Sequence, residues 1–156
     1  MANWTSSDRN DFAHRIRAID WSPFWTAYGH AHKQSSYGSI PDLLIQLSSE
    51  EDQQALRASD ALWASLCHQE IRSSPAALPA MPFLLEAFDR GSTGLRFELL
   101  ELFKGFAVTS ERNKDDPWSS AIIKLLRDVR ERFRPLSDST EDDTRHFADE
   151  ILRITT

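Results

Sequence analysis

Hydrophobic residues near the start of the chain recur at helical spacing. Phe12, Ile16 and Ile19 fall at i, i+4 and i+7. Since residues with this spacing lie on one side of a helix, they predict an amphipathic helix with one buried face. Most apolar segments further along have the same period, and none has the alternating pattern and turn residues that indicate a β-hairpin. The pattern therefore predicts an all-α protein.

A second helix is predicted soon after the first. Ser22 is followed by Pro23, which is typical of a helix start because serine caps the helix and proline fits its first position. The helix would carry Trp25 and Tyr28. We therefore predict a pair of N-terminal helices within residues 7–31, followed by a polar turn.

The rest of the chain contains a repeated hydrophobic pattern. Segments 40–47, 81–88 and 122–129 align without gaps at a spacing of 41 residues. In each segment the hydrophobic residues fall at i, i+3, i+4 and i+7, the pattern of one buried helical stripe. The matching positions are Ile40, Met81 and Ile122; Leu43, Leu84 and Leu125; Leu44, Leu85 and Leu126; and Leu47, Phe88 and Val129. Pro41 and Pro82 are predicted in the first turn of their helices, where proline is tolerated.

Each repeated helix is followed by a polar loop and a second helical segment. The predicted hairpins span residues 40–68, 80–108 and 118–154. Because one hairpin cannot bury both of its faces, such units stack on their neighbours. We predict a single domain over residues 1–156, a short α-solenoid of about three HEAT-like helical hairpins preceded by the N-terminal helix pair. A compact, irregular helical bundle is the alternative.

Composition narrows the classes of partner. The chain has 156 residues, 40% of them hydrophobic, and a formal net charge of −6, which disfavours binding to nucleic acid or anionic membranes and favours a basic protein partner. It has one cysteine, no apolar run long enough to span a membrane and no signal-peptide pattern at its start. We therefore expect a cytoplasmic protein, and the polar outer face of the last helix predicts a monomer.

Part of the chain resembles a known family. Between residues 27 and 90 it contains a Gly–x–Ala element, a Pro–x–Leu–Leu element, a helix ending in His–Gln, and an Ala–x–Pro–Phe–Leu–Leu element. The matching residues are Gly29 and Ala31; Pro41, Leu43 and Leu44; His68 and Gln69; and Ala80, Pro82, Phe83, Leu84 and Leu85. This order resembles the small bacterial HEAT-like repeat proteins, apart from an insertion-like stretch at 32–39. The resemblance implies an α-solenoid without catalytic activity, and some proteins of this kind are immunity partners of secreted bacterial toxins.

The only cysteine lies in the sequence LCHQE. On a helix, Cys67 and His68 point about 100° apart, so they are not placed as a nucleophile and its base. Cys67 is predicted to be a buried structural residue. His68 and Gln69 are predicted to close the helix by hydrogen bonding to its last turn, with contact to a partner in a binding groove as the alternative.

Two histidines, His30 and His32, have a spacing compatible with a shared metal ion. A zinc site needs three or four ligands, and no motif connects a further histidine to this pair. We therefore predict no metal ion, no cofactor and no catalytic residues.

Acidic residues concentrate in two of the hairpin loops. They are Glu50, Glu51 and Asp52 in the first loop and Asp138, Glu141, Asp142 and Asp143 in the third. Loops that join stacked hairpins project on one edge, so these carboxylates are candidate contacts for a basic partner. The alternative is solvated charge that caps the next helix.

The chain also has five tryptophans and one basic stretch. Most tryptophans are predicted in the core. Trp63, on the second helix of a hairpin, is a candidate contact on the concave side, with burial in the core as the alternative. Residues 124–134 are predicted to carry ion pairs at i, i+4 along one helix, with a phosphate-binding stripe through Arg127, Arg130 and Arg134 as the alternative.

These observations favour a non-catalytic protein-binding module, most concretely an immunity protein that occludes a basic toxin domain. Two alternatives remain open. One is a HEAT-like DNA-binding or base-excision enzyme using Asp60 and Trp63, and the other is a scaffold or adaptor subunit.

Overall fold

A computed structural model describes residues 2–156, and α-helices account for most of them. The α-helices are α1 (Ser6–Arg17), α2 (Ile40–Gln46), α3 (Asp52–Leu62), α4 (Ala77–Arg90), α5 (Thr93–Arg112), α6 (Ser119–Asp128) and α7 (Asp142–Ile154). Short 3-10 turns span His68–Glu70, Arg130–Arg132 and Arg134–Asp138, and a π-helical turn spans Trp63–Cys67. The prediction of an all-α protein is therefore confirmed, apart from one very short β-hairpin.

The first helix begins with a capping box. The Thr5 hydroxyl accepts a hydrogen bond from the Asp8 backbone N–H, and the Asp8 carboxylate accepts one from the Thr5 N–H. Phe12 and Ile16 are completely buried, as the hydrophobic pattern predicts. Ile19 lies beyond the end of the helix and is exposed.

The prediction of a second N-terminal helix is wrong. Strands β1 (Trp25–Thr26) and β2 (Gly29–His30) pair instead as a tight antiparallel hairpin. The Ser22 hydroxyl donates to the Asp20 carboxylate and caps no helix. At the turn, Gly29 has φ +117, a conformation that L side chains rarely adopt. The N-terminal unit is therefore one helix followed by a loop and hairpin.

The seven α-helices of residues 2–156 pack in two rows. Helices α1, α2, α4 and α6 contact one another in that order, and so do α3, α5 and α7. The long α5 lies at the centre, because it also packs against α4 and α6. Leu99, Phe103 and Phe106 of α5 are completely buried in this core.

The aligned hydrophobic positions occupy equivalent environments. Ten of the twelve residues are buried, and the other two, Leu125 and Val129, are partly buried against the core. One local prediction is wrong: α4 begins at Ala77, so Pro82 lies inside the helix and not in its first turn. A proline there lacks the N–H that would bond back to the preceding turn.

The end of the first hairpin departs from regular helical geometry. After α3, the chain makes the π-helical turn, and then His68, Gln69 and Glu70 all have positive φ, at 43, 53 and 63°. Such left-handed backbone is unfavourable for residues other than glycine. The predicted α-helix to residue 68 is therefore replaced by a π-turn and a left-handed turn.

The basic stretch does not form the predicted ladder of ion pairs. Lys124 pairs with Asp128 as expected, with a 2.9 Å N–O distance, but α6 ends at Asp128. In the last turn of α6, Arg127 donates to the Thr155 carbonyl, and beyond the helix Arg130 donates to the Leu152 carbonyl, both at the C-terminal end of α7. These arginines therefore join the last two helices, since cations stabilise a helix C-terminus.

Within residues 2–156, no helix combines the length and the apolar composition that crossing a bilayer requires.

Candidate functional site

Carboxylates from three helices meet on the row formed by α3, α5 and α7. They are Asp60 of α3, Glu98 and Glu101 of α5, and Asp143 in the first turn of α7. We call these four residues the acidic face. Between α3 and α5, Asp60, Glu98 and Glu101 line a cleft of about 120 Å³ together with Ser59 and Trp63.

The electrostatics of this face are unfavourable in the free protein. Burial raises the pKa of Glu98, and the neighbouring Asp60 and Glu101 raise it further. Burial also raises the pKa of Glu101, against the opposing effect of Lys104. Within residues 2–156, no residue of the acidic face forms an ion pair. Like charges in partly desolvated positions disfavour one another, so a cation placed here would relieve the repulsion.

Trp63 adds an aromatic surface to the acidic face. It begins the π-helical turn and is partly buried. Its indole N–H is shielded from solvent and donates to no acceptor among residues 2–156. The prediction that most tryptophans are in the core holds fully only for Trp21, because Trp4, Trp63 and Trp118 are partly buried and Trp25 is exposed.

The hairpin loops lie side by side along one edge of the molecule. The Ser92 hydroxyl of the second loop donates to Asp52 of the first, at 2.6 Å. Thr93 and Gly94, at the start of α5, face residues 140–144 across a groove of about 990 Å³. The sequence predicts this common edge, and the arrangement follows from the two rows of helices.

The groove combines an apolar floor with an acidic rim. The floor is formed by Leu56, Phe88, Phe97, Leu100 and Leu136, and the acidic lining residues are Glu98, Glu141, Asp142 and Asp143. Glu98 lines both the groove and the cleft beside Trp63. This groove, which we call the edge groove, is therefore continuous with the acidic face.

The predicted loop carboxylates have different environments. Glu50 pairs with Arg9 at 2.5 Å and Asp142 pairs with Arg145 at 2.5 Å. Glu51 and Asp138 are exposed. The structure thus brings Glu141 and Asp142 next to the acidic face, to which the predicted Asp143 belongs. Glu50 and Asp52 line a different depression, at the opposite end of the loop edge.

His68 and Gln69 lie away from the groove. Within residues 2–156 neither side chain makes a hydrogen bond, so the predicted closure of the helix by these side chains is wrong. The reason is the left-handed turn, in which the His68 carbonyl accepts a backbone hydrogen bond from Ile71. The His68 ring lies 5.9 Å from the ring of Tyr28.

Exposed aromatic residues surround His68, and sequence reasoning missed them. Trp25 is 50% exposed, and the rings of Tyr28 and Tyr37 are 4.8 Å apart on the surface. The sequence predicts Trp25 on a second N-terminal helix, but the chain forms a β-hairpin there and Trp25 lies on the surface. No periodic signal identifies this cluster, because the hairpin interrupts the helical pattern.

Glu98 and Glu101 are also absent from the predicted site residues. Glu98 and Glu101 are three residues apart, and so are Asp60 and Trp63. This spacing places the two members of each pair on one side of a helix. That spacing is the signal from which the acidic face could have been found.

The histidine and cysteine candidates do not form a metal site. The rings of His30 and His32 are 5.5 Å apart, and residues 2–156 contain no group of three or more potential ligands arranged to hold a metal ion. Cys67 is completely buried, as predicted. Burial raises the pKa of its thiol to about 12, so the thiol stays protonated near neutral pH.

Comparisons of this chain with protein-family models, with curated proteins and with solved structures found no match.

Proposed function

We propose that this protein is a non-catalytic protein-binding module that neutralises a basic bacterial toxin domain by covering it. The observation that carries the proposal is the acidic face. Within residues 2–156 none of its four carboxylates forms an ion pair, and Asp60, Glu98 and Glu101 share a cleft with the half-buried Trp63. An uncompensated acidic surface around an aromatic residue suits a cationic protein surface better than any anionic ligand.

The acidic face supports both fast and tight association. A cluster of negatively charged carboxylates attracts a basic partner over a distance and raises its association rate. In the complex, cationic side chains would remove the mutual repulsion between Glu98 and Glu101, which the free protein must tolerate. Trp63 would supply the desolvated aromatic contact that dominates many interfaces.

We also propose that the two rows of helices form a short HEAT-like solenoid. The order of contacts supports this arrangement, because first helices pack on first helices and second helices on second helices. The buried equivalent positions, spaced by 41 residues, support it independently. In such a stack the acidic face belongs to the row of second helices, which lines the concave side.

A base-excision enzyme receives less support. Asp60 and Trp63 do share a cleft, as that alternative requires. However, the same cleft contains Glu98 and Glu101, and these carboxylates would repel the phosphates of a DNA strand. A gel-shift assay with damaged duplex DNA at physiological salt tests this alternative, and retention of the DNA would favour it.

The proposed function is tested by affinity capture from source cells followed by a growth assay. The bait is the wild-type protein, and the test variant is Glu98→Lys/Glu101→Lys. The variant Asp115→Lys/Glu131→Lys is the matched control, since it changes the net charge equally at exposed positions away from the acidic face. Size and thermal unfolding of each variant confirm that it is folded.

We expect wild type and control to retain a basic protein that the test variant loses. When the captured basic domain is expressed in a bacterial host, co-expression of wild type should restore growth, and co-expression of the test variant should not. Retention of no basic protein, equal retention by all three baits, or growth without co-expression would contradict the proposal.

A further inference from the structure

We propose that the edge groove binds an amphipathic segment of the partner, in which an apolar side chain is flanked by lysine or arginine. The edge groove is the 990 Å³ depression between the start of α5 and residues 136–144. This inference rests on the proposed function and specifies the segment of the partner that the groove recognises.

The floor of the groove provides an apolar binding surface. Phe97 and Leu136 are only partly buried, and the Phe97 ring packs against Phe147 at a centroid distance of 5.6 Å. Arg96 lies over the Phe88 ring, with its guanidinium carbon 4.9 Å from the centroid. An apolar side chain of a partner would remove this aromatic and aliphatic surface from water, which is favourable.

The charge of the rim determines which apolar segment fits. Four carboxylates and one arginine line the groove, which gives a formal charge of 1 − 4 = −3. Asp142 already pairs with Arg145, but Glu98, Glu141 and Asp143 form no ion pair within residues 2–156. An uncharged or acidic segment would cover these carboxylates without compensation, and that is costly. Flanking cations would pair with them.

Gly94 offers a precise way to block the groove. It lies in the first turn of α5 and lines the groove. A Cβ atom added there meets only the Leu56 Cδ2 atom, at an ordinary distance of 3.9 Å. The variant Gly94→Trp should therefore fill the groove without displacing the backbone. Ser120→Trp is the matched control, because Ser120 is exposed in the first turn of α6 and does not line the groove.

The experiment is a selection of short random peptides displayed on phage against immobilised wild-type protein, with Gly94→Trp used for counter-selection. Enriched peptides are synthesised, and their affinities for wild type, Gly94→Trp, Ser120→Trp and Asp143→Lys are measured by fluorescence anisotropy. Thermal unfolding of each variant is measured alongside, so that loss of binding can be separated from loss of the fold.

We expect the enriched peptides to contain an apolar residue flanked by lysine or arginine. Their affinity should fall by about tenfold or more in Gly94→Trp, as expected when a central contact is removed, and stay unchanged in Ser120→Trp. Asp143→Lys should weaken binding, and added salt should weaken it further. Peptides without cations, peptides that bind Gly94→Trp as tightly as wild type, or the absence of any enriched peptide would overturn the inference.

The two proposals can fail separately. If the basic protein captured from cells binds Gly94→Trp as tightly as wild type, the groove is not its docking site, although the proposed function stands. If no basic protein is captured but cationic peptides still bind only when the groove is open, the proposed function fails. The preference of the groove for apolar segments flanked by cations then still stands.

Discussion

The sulfur atom of Cys67 packs directly against Gly105 of α5. A Cβ atom added to Gly105 would lie 2.7 Å from the Cys67 Sγ atom, closer than Cβ atoms approach other atoms in real structures. The Trp63 indole nitrogen is the next contact from the π-helical turn, at 3.7 Å. Glycine at this position therefore lets the π-turn lie against the central helix, next to the acidic face.

We predict that Gly105→Ala destabilises the protein despite the better helix propensity of alanine. Overpacking a core costs about 1–3 kcal/mol, whereas replacing glycine in a helix gains about 1 kcal/mol. The expected net loss is up to about 2 kcal/mol in the free energy of unfolding, measured by urea denaturation. The loss should be smaller in a Cys67→Ala background, which lacks the clashing sulfur. Gly94→Ala, which has open space, should not destabilise, and equal effects at both glycines would contradict the packing argument.

The sequence predicts the helical rows well because their signal is local. Hydrophobic residues at i, i+3, i+4 and i+7 need only a helix and a neighbour to become buried. The stripe of Ile40, Leu43, Leu44 and Leu47 is accordingly buried in full.

The left-handed turn could not be predicted from the sequence, because distant residues hold it. Lys104 pairs with the Glu70 carboxylate at 2.6 Å, and Arg112 donates to the Glu70 carbonyl. Asn113 donates to the Ile71 carbonyl. All three lie on or next to α5, more than 30 positions along the chain, and together they offset an unfavourable backbone conformation.

The β-hairpin is specified by distant contacts as well. The Ala27 N–H donates to the Ser65 carbonyl, and the Ala76 N–H donates to the Trp25 carbonyl. These bonds tie the hairpin to both ends of the segment after α3. The local Ser–Pro signal for a helix was therefore overridden by hydrogen bonds that no local pattern encodes. The acidic face is encoded locally only in part. Helical spacing pairs Glu98 with Glu101, but packing of α3 and α7 on α5 brings Asp60 and Asp143 beside them.

Replacing Gln69 by glycine should stabilise the protein. Gln69 is exposed, has φ 53° and makes no side-chain hydrogen bond within residues 2–156. Left-handed backbone costs a residue with a Cβ about 1–2 kcal/mol, and the greater freedom of glycine in the unfolded chain removes part of the gain. We expect the free energy of unfolding to rise by about 0.5–1 kcal/mol.

The matched control for that substitution is Gln53→Gly, at an exposed position in the first turn of α3. There the backbone is right-handed, so glycine should destabilise or leave stability unchanged. Urea denaturation of both variants gives the comparison. A loss of stability in Gln69→Gly would contradict the left-handed geometry.

The acidic face should make stability depend on pH. Burial and neighbouring carboxylates raise the folded-state pKa of Glu98 and Glu101 above the ordinary value of a glutamate. The folded state then binds protons more tightly than the unfolded state, so stability decreases as pH rises from about 4.5 through the raised pKa values. Glu98→Gln/Glu101→Gln should be more stable than wild type at pH 7, and the difference should disappear below the unfolded pKa.

Glu131→Gln provides a control of opposite sign. Hydrogen bonds from Arg134 lower the pKa of Glu131, so its ionised form favours folding above the unfolded pKa and this contribution is lost as pH falls. Thermal unfolding between pH 4 and pH 8 distinguishes the two cases. If the double glutamine variant were less stable than wild type at pH 7, the repulsion on the acidic face would be refuted.

Cys67 should resist alkylation in the folded protein. Its thiol is completely buried and has a pKa of about 12. At pH 8 ionisation alone should slow its reaction with iodoacetamide on the order of a thousandfold relative to an ordinary thiol of pKa about 8.5. Labelling followed by mass spectrometry should therefore proceed only as fast as the segment opens, and urea should accelerate it sharply. Gly105→Ala should also accelerate the labelling, because that variant pushes on the same sulfur.

The control is Ser120→Cys in a Cys67→Ala background, which places a thiol on the surface and should react at the ordinary rate. A native Cys67 that reacts as fast as this control would show that the π-turn does not enclose the sulfur.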